Sequence, residues 1–294
     1  MAASRRWGIG SGDRDGAACA ASTTASGGVF DGSATSRTPF LQQVRLDPSV
    51  ERPELYPFTL PAVRGLAGSG GIAFDTAVTF VVGHNGSGKS TLVEAIATAL
   101  KFNPEGGSRS LRFSTSATHS TLAEALLLRR GSAKPRTGWF LRAESFYNVA
   151  SEIDRLDAEP GGRPLIDSYG GVSLHEQSHG ESFLALLVHR FGPRGLYLLD
   201  EPEAALSPPG VMAALARIHQ LAGQEAQFVI ATHSPILFAV PGATISEIDH
   251  DGHLDRVDYD HATPVVVTRA FLADPRRYLG ELLAGDTGSG KERR

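Results

Sequence analysis

The stretch GHNGSGKST, Gly83 to Thr91, constrains this chain more than any other. Its spacing is Gly-x-x-x-x-Gly-Lys-Ser. Glycines at those intervals let the backbone turn so tightly that consecutive amides face one anion. A loop of this kind needs three companions. A strand must deliver it, a helix must follow it, and a hydroxyl after the lysine must hold a divalent cation. The run AVTFVV ends directly at Gly83 and has strand length and character. After Lys89 the apolar period changes. Leu92, Ile96, Ala99 and Leu100 recur at helical spacing, so STLVEAIATALKF reads as a helix with one buried face, ended by NPEGGS. Ser90 is the hydroxyl.

The residue roles follow from the chemistry of a bound nucleotide. The loop opens at Gly83 and His84. Amides of Asn85, Gly86, Ser87, Gly88 and Lys89 surround the phosphates, and Lys89 sets a point charge between the β and γ positions. Ser90 ligates Mg2+, and Thr91 lies beside the α-phosphate. A second stretch with the same spacing, GDTGSGKER from Gly285 to Arg293, lacks every companion. No strand precedes it, and Glu292 stands where the hydroxyl belongs and would repel phosphate. It reads as part of a solvated tail.

Composition limits the remaining choices. The chain has 294 residues, 41% of them hydrophobic, enough for the core of one large α/β unit. Net charge is -4, so no global excess of positive charge points to nucleic acid or to an anionic membrane. The single cysteine, Cys19, excludes an internal disulfide and a cysteine-based metal centre, and it fits a reducing, cytoplasmic setting. No apolar run approaches the roughly 18 residues of a membrane-spanning helix. Residues 1–37 are rich in Gly, Ala and Ser and have too little apolar surface to order; they are expected to be a disordered leader.

Order should begin near Phe40, with FLQQVRL as a first strand. A Pro-rich connection follows, then GGIAF as another strand. Residues 105–142 read as an inserted helical lobe. It contains TLAEALLLRR as its helix and a local excess of positive charge from Arg109, Arg112, Arg129, Arg130, Lys134, Arg136 and Arg142. WFLRAESFYNVA reads as a strand and then a helix. GLYLLDEP and QFVIATHSP are buried strands. ISEIDHDGHLDRVDY is a hairpin turning at Asp251-Gly252. VTRAFLADPRRYLGELL is helical.

Two of those strands end in chemistry. Asp200 and Glu201 put paired carboxylates at a strand terminus, where a phosphate-binding protein holds Mg2+ (Asp200) and orients or deprotonates the attacking water (Glu201). His233 ends the next strand and can donate to a γ-phosphate. Before the helix at Phe183, the run Ser178, His179, Gly180, Glu181 has two readings. One is an anion site at a helix N-terminus. The other is an ordinary capping box, Ser178 with Glu181 three residues on.

Taken in order, these pieces resemble the ABC-type ATPases. GHNGSGKST resembles Walker A, SHGES the signature motif, LYLLDEP Walker B, Ala204 to Ser207 the D-loop, and His233 the switch histidine. The likeness spans about residues 38–283, with 284–294 as tail. It is closest to the non-transporter branch, namely the small bacterial predicted ATPases of AAA type and, more distantly, the SMC-like repair ATPases. It departs from transporters in having His179 for the first of the two signature glycines. It also departs in having Glu144 or Ser145 where a Q-loop glutamine would stand. The resemblance implies an α/β P-loop fold with a mixed central sheet flanked by helices and a small antiparallel β part. It implies ATP and Mg2+ as ligands and ATP hydrolysis. It also implies a homodimer that sandwiches two ATP molecules head to tail, with Ser178 and Gly180 of one protomer facing the γ-phosphate held by Lys89 of the other. Phe58 and Arg64 are candidates for the adenine. A transporter subunit, or a repair or defence ATPase gripping nucleic acid through the basic lobe, are the alternative readings.

Overall fold

In the computed structural model of the chain, the described residues are 39–50, 54–108, 121–143, 146–157 and 165–284. The leader, the second Gly-Lys stretch, Arg109, Arg112, Glu144 and Ser145 lie outside them. The elements, in chain order, are β1 (Leu41–Leu46), α1 (Pro61–Gly68), β2 (Ile72–Ala73), β3 (Val78–Gly83), α2 (Lys89–Ala99), β4 (Gly107–Ser108), α3 (Thr121–Glu124), β5 (Leu126–Arg130), β6 (Thr137–Arg142) and α4 (Phe146–Asp157). They continue with α5 (His179–His189), β7 (Gly195–Asp200), α6 (Pro208–Ala222), β8 (Gln227–Ala231), β9 (Thr244–Ile248), β10 (Leu254–Val257), α7 (Thr263–Ala273) and α8 (Pro275–Ala284).

Seven strands form one sheet in the order β10-β9-β3-β8-β7-β6-β4, and three form a second in the order β2-β1-β5. In the large sheet β9, β3, β8, β7 and β6 run parallel, and the edge strands β10 and β4 are antiparallel. The small sheet is antiparallel throughout. Parallel strands are buried on both faces, which is why β3, β7 and β8 are almost wholly apolar, with every residue buried and no polar alternation. Period two then sorts their side chains. Phe80, Val82, Tyr197, Leu199, Phe228, Ile230, Trp139 and Leu141 enter one core cluster with α4, α5 and α6. Val81, Leu196, Leu198, Val229, Ala231 and Phe140 enter the other, with α1, α2 and β1. Gln227 joins the two sheets. Its buried amide accepts from Leu41 N at 2.9 Å and donates to Leu41 O at 2.7 Å.

Three expectations are corrected. The Pro-rich connection contains a helix, α1, because Pro61 at its first turn pre-sets φ and Ala62, Val63 and Leu66 are buried. GGIAF contributes only the two-residue β2. TLAEALLLRR is not one helix; α3 lasts four residues and the chain then extends as β5. The free edge of β1 takes it up, pairing Val44 with Leu128 and Leu46 with Leu126. That pairing overrides the helix propensity of Ala, Leu and Arg. The described residues of 105–142 therefore supply β4 and β6 to the large sheet and β5 to the small one.

Arg217 on α6 closes the C-terminal end of α5. Its Nε donates to Leu187 O at 3.2 Å, and Nη2 to Val188 O at 3.2 Å and Phe191 O at 2.9 Å. A guanidinium on terminal helix carbonyls gains from both hydrogen bonding and the helix dipole. Arg217→Ala should lower unfolding free energy by about 2 kcal/mol, read as a shifted denaturant midpoint at constant slope. A shift within error would show the contacts to be incidental.

Candidate functional site

Sheet register assembles the site. Val81 on β3 lies opposite Ala231 on β8, Ala231 opposite Asp200 on β7, and Asp200 opposite Arg142 on β6. Four parallel strands thus end at one level. The loops leaving β3, β8 and β7 carry the residues read from sequence. Such a carboxyl edge is where open α/β sheets bind ligands.

The loop after β3 is shaped by two glycines. Gly86 has φ 81° and Gly88 has φ 92°, a left-handed conformation that side chains disfavour. At Gly88 a Cβ would also lie 2.9 Å from the Cβ of Leu60. The helix α1 buttresses the loop, with Ala62 N donating to Ser87 O at 2.8 Å. Gly88 caps α2, so the α2 amides and the positive end of its dipole open at this loop. Lys89 is 4% exposed, and its ammonium donates to Gly83 O and His84 O, both at 3.0 Å. Burial lowers its pKa, and Glu201, Asp200 and Glu203 oppose that shift. Ser90 and Thr91 sit half-buried in the first turn of α2. Asn85 is exposed, and His84 stacks on His250 of the β9–β10 turn with ring centroids 4.5 Å apart.

The acidic end is a cluster, not a pair. Asp200 is buried, with Oδ2 3.8 Å from Nε of Arg142. Glu201 adopts φ 49°, ψ 51°, an uncommon conformation for a non-glycine residue that costs of order 1 kcal/mol or more. Its amide donates to Ala231 O at 2.9 Å, and its Oε1 lies 3.7 Å from Nε2 of His233. Glu203 accepts the backbone N–H of His233 at 2.7 Å and so ties the loop after β7 to the loop after β8. Burial, then the Lys89 charge, lowers the pKa of His233, while Glu201 and Glu203 push it up; the imidazole is neutral at pH 7.

Three buried polar atoms here make no hydrogen bond to any described group: Ser87 Oγ, Glu203 Oε2 and His233 Nε2. Buried polar atoms are normally paired. Together with the turned-in amides and the carboxylates, they fit a phosphate ester with a divalent cation.

The capping-box reading of Ser178 to Glu181 describes the geometry of the α5 N-terminus. Glu181 N donates to Ser178 Oγ at 3.3 Å, and Ser178 N to Glu181 Oε2 at 3.1 Å. Ser178, His179 and Glu181 are exposed. Gly180 abuts the loop after β7, where a Cβ would sit 2.9 Å from Ala205 O. This run therefore touches the acidic loop from behind and presents its side chains outward.

Sequence reasoning missed Glu203, Arg142 and Tyr56. The first two were legible as charges at strand ends but not as partners. Phe58, the aromatic candidate upstream, packs half-buried against the core of α1 and α2. Tyr56 is 72% exposed, with its hydroxyl 3.5 Å from Thr91 Oγ1. Two of the basic residues of 105–142 are engaged locally: Arg130 donates to Ala99 O and Arg142 to Glu94.

Two family models match the chain. One, described as "AAA domain, putative AbiEii toxin, Type IV TA system", covers residues 165–239; the other, an AAA domain, covers residues 63–130. No curated protein sequence matches. Among solved structures, a part of an ABC transporter complex from Clostridium perfringens aligns at 16% identity and TM-score 0.45, over 84% of this chain and all of that one. The SMC head domain from Thermotoga maritima aligns at 16% identity and TM-score 0.37, over 74% of this chain and 98% of that one.

Proposed function

We propose that the chain is a P-loop ATPase of ABC type, resembling the AAA- and SMC-like members of that group, a reading supported by two AAA-domain matches and by a mixed sheet that delivers a glycine-rich loop between a strand and a helix. It binds ATP at Gly83–Thr91, hydrolyses it to ADP and phosphate, and closes as a head-to-tail homodimer around two ATP molecules. The observation that carries the reading is the alignment of Val81, Ala231, Asp200 and Arg142 at one level, which brings phosphate loop, carboxylates and histidine to one edge. The proposed ATPase unit is residues 38–283.

Lys89, released from its two carbonyl partners, reaches the β- and γ-phosphates. Ser90 and Asp200 are the groups that would hold Mg2+, which supplies charge neutralisation to the phosphates when bound. Glu201 takes the proton of the attacking water or orients it, and neutral His233 donates to the γ-phosphate. Glu203 keeps the His233 backbone in place. The exposed Ser178, His179 and Glu181, with Gly180 among them, belong to the partner-facing surface, where α5 meets a second protomer's γ-phosphate. No helix of the described residues is long and apolar enough to cross a membrane.

If the site is completed in trans, ATP turnover per chain should rise with protein concentration below the dimer Kd and then level off. A steady-state assay over a hundredfold dilution reads this directly. A rate per chain that is flat over the whole range, with no dimer by light scattering, would mean that α5 completes no site.

A further inference from the structure

Arg142 is the charged group that the catalytic scheme leaves unused. It ends β6 directly beside Asp200 in the parallel register. One guanidinium spans two carboxylates. Its Nη1 donates to Glu94 Oε2 at 2.7 Å, and its Nε lies 3.8 Å from Asp200 Oδ2. Glu94 sits on α2, the helix that begins with Lys89. Asp200 is nine-tenths buried, and a buried carboxylate needs a counter-charge. Asp200, Glu201 and Glu203 act on Lys89, while Glu94 and Asp200 both face Arg142, so Asp200 is the carboxylate that the two cations share.

We propose that Arg142 is a positioning residue that sets the metal dependence of nucleotide binding: its guanidinium supplies at Asp200 part of the positive charge that Mg2+ supplies when bound, and Glu94 holds it at that distance. The inference rests on the ATP-binding reading above. Its physical content is a competition. Without metal, a triphosphate entering this edge meets the charge of Asp200, and Arg142 offsets it. With metal, the cation itself offsets Asp200, and Arg142 matters less. An arginine suits this role because its rigid fork can hold one carboxylate while facing another, and because it keeps its charge at any working pH.

Two substitutions then move the system in opposite directions. Arg142→Ala should weaken ATP binding in EDTA at least about fivefold more than it weakens binding in Mg2+, so the metal-dependent gain in affinity grows. Glu94→Gln removes one carboxylate and frees the guanidinium for Asp200, so ATP affinity in EDTA should rise and the metal-dependent gain should shrink. Arg142→Lys should fall between wild type and Arg142→Ala.

The experiment is equilibrium titration of the full chain with ATP, in EDTA and in excess Mg2+, for wild type and the three variants. Thermal unfolding of each confirms that it is folded, and Arg142→Lys and Glu94→Gln carry the test if Arg142→Ala is not. Opposite-signed changes in the ratio of the two dissociation constants support the assignment, since loss of a purely structural contact would weaken both conditions alike. An unchanged ratio in the folded variants overturns it while leaving ATP binding intact. Wild-type protein that binds no ATP in either condition overturns both this inference and the functional reading.

Discussion

Lys89→Ala should raise the dissociation constant for ATP by about a hundredfold or more. The ammonium is buried among Asp200, Glu201 and Glu203 and held by two loop carbonyls, so its charge acts at low local dielectric. Truncating one partner of a desolvated charge pair costs roughly 2–5 kcal/mol. ATP should correspondingly stop protecting the variant from heat. Saturating ligand stabilises a folded protein by RT ln(1 + [L]/Kd), about 2.7 kcal/mol at a hundredfold excess over Kd, and the variant should lose that shift. Calorimetric titration and a melting curve with and without Mg-ATP check both. Unaltered affinity in a folded variant would remove Gly83–Thr91 as the phosphate site.

The second large effect belongs to Glu201→Gln. The substitution keeps the shape of the side chain and the demand for a left-handed backbone at φ 49°, so folding should be unaffected. It removes the base. General base catalysis contributes roughly 10²–10⁴ in rate, and turnover should fall within that range while ATP binding persists. A protein that binds ATP but cannot hydrolyse it should accumulate in the closed state. Light scattering on this variant should therefore show a monomer without nucleotide and a dimer with Mg-ATP. Retained turnover would hand the base role to Glu203, whose Oε1 accepts the His233 N–H and whose Oε2 is buried with no hydrogen bond among the described residues. A monomer with ATP bound would sink the role given to Ser178–Glu181.

The two predictions differ in how far each was readable beforehand. The lysine, its glycines and Ser90 are consecutive in sequence, so local spacing alone implies their convergence. Asp200 and Glu201 were readable because the four-residue apolar run Leu196–Leu199 has the length of a buried strand, and the first polar residues after it emerge at its end. Arg142 and Glu203 were not readable as partners. Arg142 lies 58 positions from Asp200 in the chain, and only the parallel pairing of β6 with β7 sets them side by side. The link from Glu203 to His233 likewise exists only because β7 and β8 are neighbours in the sheet.

The misreadings have the same cause. Leu126–Arg130 has the composition of a helix, and the strand it forms is chosen by the edge of β1, 80 residues away in the chain. Pro61 looked like part of a connection until the burial of Val63 and Leu66 supplied the reason for a helix there.

By itself, then, the sequence determined the glycine-rich loop, its delivering strand and following helix, the carboxylates at the end of β7 and the capped start of α5. Each of these depends on residues within a few positions of one another. Tertiary structure alone decided which strand ends share a level, which carboxylate ties the histidine loop, and which arginine faces Asp200. Those are matters of strand order and register, and they are settled by burying both faces of a parallel sheet, a condition that no local stretch of the chain expresses.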